Sequence, residues 1–229
     1  MGVIAWDWQH GEHFNLLHDD VFRTLKGWLR SRAIWGIWFG TPCESFTQAR
    51  RAPPGSRMPC RLRSAEHVRG LPDLLPKDQE AVRRGNLLAD RVAALQSLAA
   101  DLKVLGGEEN PGSSWLWKLR SRATFAERPQ VSDSIIDYCA FGTPYRARTR
   151  IRLWQVRPPT ALAKCKCSGR GICTFSGKPH EQLTGASKAG FATRKNKCYL
   201  SGLCCHLATA FVGAHNNNRT CRRWELFKP

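Results

Sequence analysis

A short apolar stretch that runs into a proline and then a cysteine constrains this chain more than any other feature. Ala33 to Phe39 reads as a buried strand, and it breaks at Gly40-Thr41-Pro42-Cys43. Pro42 fixes its own φ and offers no N–H to a ladder, so the strand stops there. Cys43 then sits at a strand's carboxyl end, where open α/β sheets place their chemistry. Arg50 and Arg51 follow within eight residues of it. A thiol beside fixed positive charge gives up its proton more readily, and the thiolate is the nucleophile.

Around this strand the periodicity alternates between helix and strand. Val3 to Trp6 reads as the tail of a strand with Asp7 at its carboxyl end, and Asn15-Leu16-Leu17 as a second strand end. Asp19-Asp20 starts a helix whose face carries Val21, Leu25, Trp28 and Leu29, with Arg30 and Arg32 in its last turn. Residues 50 to 80 form a basic, turn-rich loop. Lys77 to Leu105 is the clearest helix, ended by Gly106-Gly107, and Glu108-Glu109-Asn110-Pro111 makes a polar turn after it. Ile135 to Phe141 reads as a strand turned by Gly142-Thr143-Pro144. Arg146, Arg148, Arg150 and Arg152 then alternate with Ala147, Thr149, Ile151 and Leu153, so that a strand here sets four guanidinium groups on one face. Helices alternating with strands argue for an α/β domain with a mostly parallel sheet over residues 1–157. Its carboxyl edge collects Asp7, Cys43, Glu109 and the arginine strand.

The net charge of +18 favours a polyanionic partner, and guanidinium groups suit phosphate. Arg50, Arg51, Arg146, Arg152, Arg170 and Lys178 are the candidate nucleic-acid contacts. No apolar run approaches the length of a membrane span, about 18 residues, and the amino terminus lacks the layout of a signal peptide. An intracellular location, nucleus or nucleoid, with no membrane partner is the expectation. Seven of the ten cysteines lie after residue 160, and without an export signal they read as reduced thiols or metal ligands.

With these sites in order the chain resembles the C5-cytosine methyltransferases. The family's Gly-x-Pro-Cys-Gln-x-Phe-Ser corresponds to Gly40-Thr41-Pro42-Cys43-Glu44-Ser45-Phe46-Thr47. Its Glu-Asn-Val corresponds to Glu109-Asn110-Pro111, and its Tyr-Gly-x-Pro-Gln-x-Arg-x-Arg to Phe141-Gly142-Thr143-Pro144-Tyr145-Arg146-Ala147-Arg148-Thr149-Arg150. The style is that of the divergent, methylase-like domains of phages and mobile elements. The resemblance implies a Rossmann-like α/β methyltransferase sheet, incomplete at the N-terminus because the Phe-x-Gly-x-Gly cofactor turn does not precede Asp7. It implies S-adenosylmethionine as methyl donor and DNA, with RNA also open, as substrate. Cys43 would add to cytosine C6, Glu109 would assist at N3, and Arg148, supported by Arg150, would hold O2 of a base taken out of the stack. Asp7 would meet the cofactor's ribose, Asn15 would stand where an adenine-contacting acid often sits, and Pro42 completes the cofactor-binding positions. A truncated derivative that binds nucleic acid without catalysis is the alternative.

The remaining constellation is Cys165, Cys167, Cys173 and His180, in a segment with no core of its own. These four residues could close around zinc and supply the missing folding energy. Reduced thiols in a cysteine-rich loop are the other reading, and Cys198, Cys204 and Cys205 are alternative ligands. Cys204 and Cys205 more naturally face a helix core with Leu203 and Leu207. Residues 158–198 thus form a small Cys-rich basic lobe for target contact, and residues 199–229 a closing helix and basic tail. A zinc-stapled basic module on an α/β scaffold is the interaction-class reading.

Overall fold

The computed structural model describes residues 3–4, 6–50, 59–169, 171–183, 186–187, 190–191 and 199–225. Arg51, Arg170 and Cys198 lie outside them. Helix α1 (Asp19–Arg30) opens on two acids that face the positive end of its dipole and buries Val21, Leu25 and Leu29 on one side. Strand β1 (Gly36–Gly40) follows and ends before Pro42. Helix α2 (Pro76–Asp101) begins with proline at its first position, where the missing N–H has no intrahelical use. Strand β2 (Leu105–Pro111), helix α3 (Arg120–Ala126), strand β3 (Val131–Asp137) and strand β4 (Arg148–Trp154) complete the sheet region. A short helix α4 (Thr160–Ala163) leads into the cysteine-rich lobe, which includes the two-residue strands β5 (Ala186–Ser187) and β6 (Gly190–Phe191). Helix α5 (Ser201–Glu225) closes the chain. Among the described residues no helix is long and apolar enough to cross a membrane.

The protein is mixed α/β, with a four-stranded sheet in the order β1-β2-β4-β3. Only β1 and β2 run parallel, while β4 is antiparallel to both of its neighbours. The expected mostly parallel sheet is therefore corrected to a mixed one: residues 138–147, which join β3 to β4, are too short a connection for the crossover that parallel neighbours need. Val3, Ile4 and Trp6 do not lie in a strand, and Asn15 to Leu17 forms a turn. The strand expected at Ile135–Phe141 starts earlier and stops at Asp137, because Tyr138–Phe141 winds into a 3-10 turn ending on Gly142 at φ +89°. The closing helix runs well into what reads from sequence as a polar tail.

The largest departure is at Gly106-Gly107. The pair does not end a helix; it lies inside β2, and Glu108 to Pro111 continue that strand. The sheet needs glycine there. A Cβ at Gly106 would fall 1.9 Å from the Trp154 ring, and one at Gly107 2.4 Å from the Trp38 ring. The two indoles cover β2 from opposite faces in place of its own side chains. On one face Trp154 packs with Leu25 and Leu29 of α1, Val92 and Leu95 of α2, and Phe125 of α3. On the other, Leu105, Ile136, Ile151 and Leu153 lie under Leu203 and Leu207 of α5, with Trp38 and Phe211 at the margin. Helices thus cover both faces of the sheet.

Glu108 points into the α2/α3 face and is fully buried. Its two oxygens accept four hydrogen bonds: Thr41 Oγ1 at 2.7 Å, Gln96 Nε2 at 2.6 Å, and Arg122 Nε and Nη2 at 2.9 and 3.0 Å. This one carboxylate ties β1's exit, α2 and α3 to β2. Removing one partner of a buried ion pair leaves an uncompensated charge, which costs about 3–5 kcal/mol. Glu108→Ala is accordingly expected to lower unfolding free energy by about that amount in urea denaturation followed by circular dichroism.

Candidate functional site

Parallel pairing of β1 with β2, and antiparallel pairing of β4, bring three of the sequence-derived positions to one sheet edge. Gly40 is in register with Glu109, and Pro111 with Thr149. The turn carrying Cys43 leaves β1 here and is held to β2 by Asn110 Nδ2, which donates to Thr41 O at 2.5 Å. Gly112 N donates to Arg148 O at 2.8 Å, fixing the start of β4 beside the end of β2. Cys43, Glu109 and Arg148 therefore belong to neighbouring elements at the same edge.

Residues that sequence reading passed over build the Cys43 turn. Phe46 N closes it onto Cys43 O at 2.9 Å, and Trp115 N docks it through Phe46 O at 2.9 Å. Arg63 is buried beneath it. Its guanidinium donates to Ser45 O at 2.9 Å, Ser45 Oγ at 3.0 Å, Asn86 Oδ1 at 2.8 Å and Val68 O at 2.7 Å, and stacks 3.7 Å from the centre of the Phe46 ring. Burial, with the Arg69 charge adding to it, lowers the Arg63 pKa to about 10. Gly85 of α2 makes room for this arrangement, since a Cβ there would lie 2.3 Å from Ser45 Oγ. Arg50 also braces the turn, donating to Glu44 O at 3.1 Å and standing 3.9 Å from Asp78.

Glu109 alternates with Glu108 and faces the α5 side. Tyr199 Oη donates to its Oε2 at 3.4 Å and accepts from Trp38 Nε1 at 3.1 Å. Burial is the main cause that raises Glu109 to about 7; the neighbouring Glu108 adds to this and the tyrosine bond opposes it. Burial thus shifts Glu109 toward its neutral acid form relative to an exposed glutamate. Neither the role of Tyr199 nor the division of labour between the two glutamates is visible from spacing alone.

The four arginines expected as an open basic face are largely engaged within the chain. Arg146 and Arg148 both pair with Asp137 at 3.2 Å, and Arg150 and Arg152 pair with Asp133 at 3.2 and 2.8 Å. Arg152 is buried and also donates to Arg122 O at 2.6 Å, so its expected nucleic-acid contact is corrected to a structural role. Arg146 donates to Cys167 O at 2.6 Å and holds the lobe. Register decides this, because Asp133 and Asp137 of β3 fall directly opposite Arg152 and Arg148. Arg148 remains half-exposed at the edge, and Arg150 lies 5.1 Å over the Trp117 ring.

The metal cluster differs from its expected membership by one residue. Cys139, Cys167, Cys173 and His180 bring their ligand atoms within 4.8 Å of one another. Cys165 is not among them: its Sγ donates to Ala161 O at 3.2 Å, and it packs in the core with Ile136 and Leu162. In extended chain, residues two apart can share a face only where the backbone stays regular, and here Asp137 grips Cys167 N at 2.8 Å while Asp137 N binds Cys165 O at 2.7 Å. Cys139 comes instead from the 3-10 turn after β3. From sequence it reads as a residue inside the strand expected at Ile135–Phe141, so no local signal marks it as a ligand. Cys204 and Cys205 are exposed on α5, while Leu203 and Leu207 make its buried contacts.

Around the cluster the backbone favours thiolate. Burial raises the Cys173 pKa, but N–H groups of Ser176 and Phe175 and the Ser176 hydroxyl outweigh it and bring the thiol down to about 6. Burial is likewise outweighed at Cys167 by donors from Thr174 and Gly169. Cys139 is raised to about 12 by burial and by its bonds to the other two sulfurs. Ligands on a tetrahedral zinc, at about 2.0–2.3 Å, stand under about 4 Å apart, and Cys167 Sγ lies 3.7 Å from His180 Nε2. The buried Cys3His set can hold a metal such as zinc.

Two of the three expected cofactor residues, Asp7 and Asn15, do not join the edge. Asp7 is exposed and caps a 3-10 turn through Gln9 N at 3.0 Å. Asn15 binds Glu12 and Leu17 N, and lines a shallow pocket with Glu80, Arg83, Arg84 and Leu87 of α2. At about 100° per residue those helix positions lie opposite Gly85 and Ala89, which meet the Cys43 turn, so α2 stands between Asn15 and Cys43. Pro42 is exposed within the turn itself. Lys178 is exposed on the lobe. No protein-family model, curated protein or solved structure matches the chain.

Two measurements follow from this geometry. Cobalt(II) titration should show the thiolate charge-transfer absorption of a tetrahedral site, lost in Cys139→Ser and retained in Cys165→Ser. The folded value of Glu109 lies above its ordinary 4.5, so the folded protein binds the proton more tightly than the unfolded chain between that pH and about 7. Stability from this group is therefore present at low pH and lost as pH rises across that window, and Glu109→Gln should flatten the stability–pH curve there.

Proposed function

We propose that this chain carries the base-attacking half of a C5-cytosine methyltransferase-type site acting on DNA. The observation that supports it is the convergence of the Cys43 turn, a Glu109 carboxyl that burial raises to about 7, and Arg148 on one sheet edge, in the pairing order β1-β2-β4. Cys43 Sγ, as thiolate, forms a bond to C6 of an extruded cytosine. The C5–C6 π pair shifts into C4–C5 while the C4=N3 π pair moves onto N3, which takes the proton of Glu109, leaving a neutral enamine ring and a Glu109 carboxylate. The guanidinium of Arg148 binds O2. Arg63, a buried cation under Ser45 and Phe46, adds positive potential behind the thiol. RNA offers the same base edge, and the competition of DNA and RNA oligonucleotides for the site distinguishes them.

S-adenosylmethionine supplies a methyl group to C5 in the family this chain resembles. The residues assigned to it here do not fit: Asp7 caps a surface turn and Asn15 is separated from Cys43 by α2. That observation favours a second reading, a methyltransferase-derived protein that binds nucleic acid without turnover. In both readings zinc at Cys139, Cys167, Cys173 and His180 is structural, because all four positions are taken by protein ligands and none is left open for substrate.

A duplex carrying pyrimidin-2-one at the target position accepts a thiolate at C6 without any methyl donor. Wild-type protein is expected to form a denaturation-resistant adduct with it, and Cys43→Ser none; absence of an adduct with wild type overturns the base-attack reading. Transfer from labelled S-adenosylmethionine to cytosine then separates the enzyme from the silent derivative.

A further inference from the structure

The metal-binding lobe presents two large apolar side chains to solvent. Ile172 is 51% and Phe175 45% exposed, while Cys173 between them is buried in the cluster. Their display is built by the ligand turn itself. Phe175 N donates to Cys173 Sγ at 3.4 Å, Gly177 N returns to Cys173 O at 2.9 Å, and Cys173 N binds Lys178 O at 2.8 Å. Gly177, at φ +66°, makes the reversal. The same atoms that hold the sulfur therefore fix where the phenyl ring stands.

The charge of the lobe is mostly of one sign. Residues 158–183 contain four Lys or Arg against a single acid, Glu181. Lys164, Lys166 and Lys178 are exposed and make no ion pair among the described residues. The lobe is also continuous with the sheet edge: Glu181 N binds Pro144 O at 2.8 Å, and Arg146 Nη2 binds Cys167 O at 2.6 Å, two residues before Arg148.

We propose that this knuckle is a stacking platform for an unpaired nucleobase, with Phe175 against the base, Ile172 beside it, and Lys178, Lys166 and Lys164 on the flanking phosphates. An aromatic face set among cations is the general device for single-stranded nucleic acid, because every base offers a π-face and every linkage a phosphate. Two side chains are too small an apolar area to anchor the protein in a bilayer, which favours the nucleic acid over an anionic membrane. The proposal shares with the reading above only its polyanionic partner, and needs neither Cys43 nor a methyl donor.

The test is fluorescence anisotropy of the zinc-loaded full chain with a labelled single-stranded oligothymidine, over a salt series, in the Cys43→Ser background as well as wild type. Phe175→Ala should weaken binding about 5- to 100-fold, as base–aromatic stacking does, and Phe175→Trp should restore it. Lys178→Ala should reduce the slope of log affinity against log salt by about 0.7. Zinc content, measured in each variant, should stay at the wild-type level, which excludes loss of fold as the cause. Unchanged affinity in Phe175→Ala, or phenylalanine-dependent binding to phosphatidylserine vesicles in its place, overturns the proposal. Failure of the pyrimidin-2-one adduct alone leaves these predictions standing, so the two readings fail separately.

Discussion

The buried contact between Glu108 and Arg122 is the constraint on which the rest of this structure rests. Both groups are inaccessible to water, so each is tolerable only with the other in place. Glu108 also accepts from Thr41 and Gln96, and the Arg122 carbonyl accepts from Arg152, while Arg122 Nη1 has no hydrogen-bond partner among the described residues. Arg152 in turn fixes Asp133 on the edge strand. A single polar chain thereby runs from the exit of β1 through β2, α3 and β4 to β3. Its geometric consequence is that Thr41, two residues before Cys43, is held to β2 through both its hydroxyl and its carbonyl.

The same logic governs the other end of the strands. Asp137 is fully buried and accepts from Arg146, Arg148 and Cys167 N. Burial acts to raise its pKa, and the hydrogen bonds from Arg148, Arg146 and Cys167 overcome it, so the carboxyl sits below its ordinary range. One carboxylate thus joins the arginine at the sheet edge to the first ligand of the lobe. With Cys139 contributed by the turn after β3, the metal cluster is shared between core and lobe. A metal there closes a link between Cys139 and Cys167 that the sparse apolar content of residues 164–183 would not provide by packing.

The two faces of β2 hold carboxylates in opposite surroundings. Glu108 points to α2 and α3 and is saturated with donors; Glu109, its neighbour, points to the α5 side and meets one weak tyrosine bond. Alternation along a strand separates them by nature. A well-satisfied carboxylate ties the elements together, and a buried, under-satisfied one is raised to about 7.

Much of the scaffold was legible in the chain itself. The amphipathic stripe of α1, the period of α2, the strand ended by Pro42 and the alternation through Arg148–Trp154 are local properties, set by side-chain spacing and by proline geometry. The order of Cys43, Glu109 and Arg148 was legible too. Pairing decided the rest. Gly106-Gly107 reads as a helix stop until Trp154 and Trp38 are seen lying across it, because a glycine's reason is often a distant side chain. Four arginines read as an open cationic face until the β3 register sets two aspartates against them. Cys165 reads as a ligand by its nearness to Cys167, while the ligand that closes the cluster, Cys139, is remote in sequence. Local spacing determined which elements form and which residue types stand ready for chemistry. Only the tertiary structure decided which charges are neutralised and which sulfurs meet, since both depend on strand register and on contacts between residues far apart in the chain.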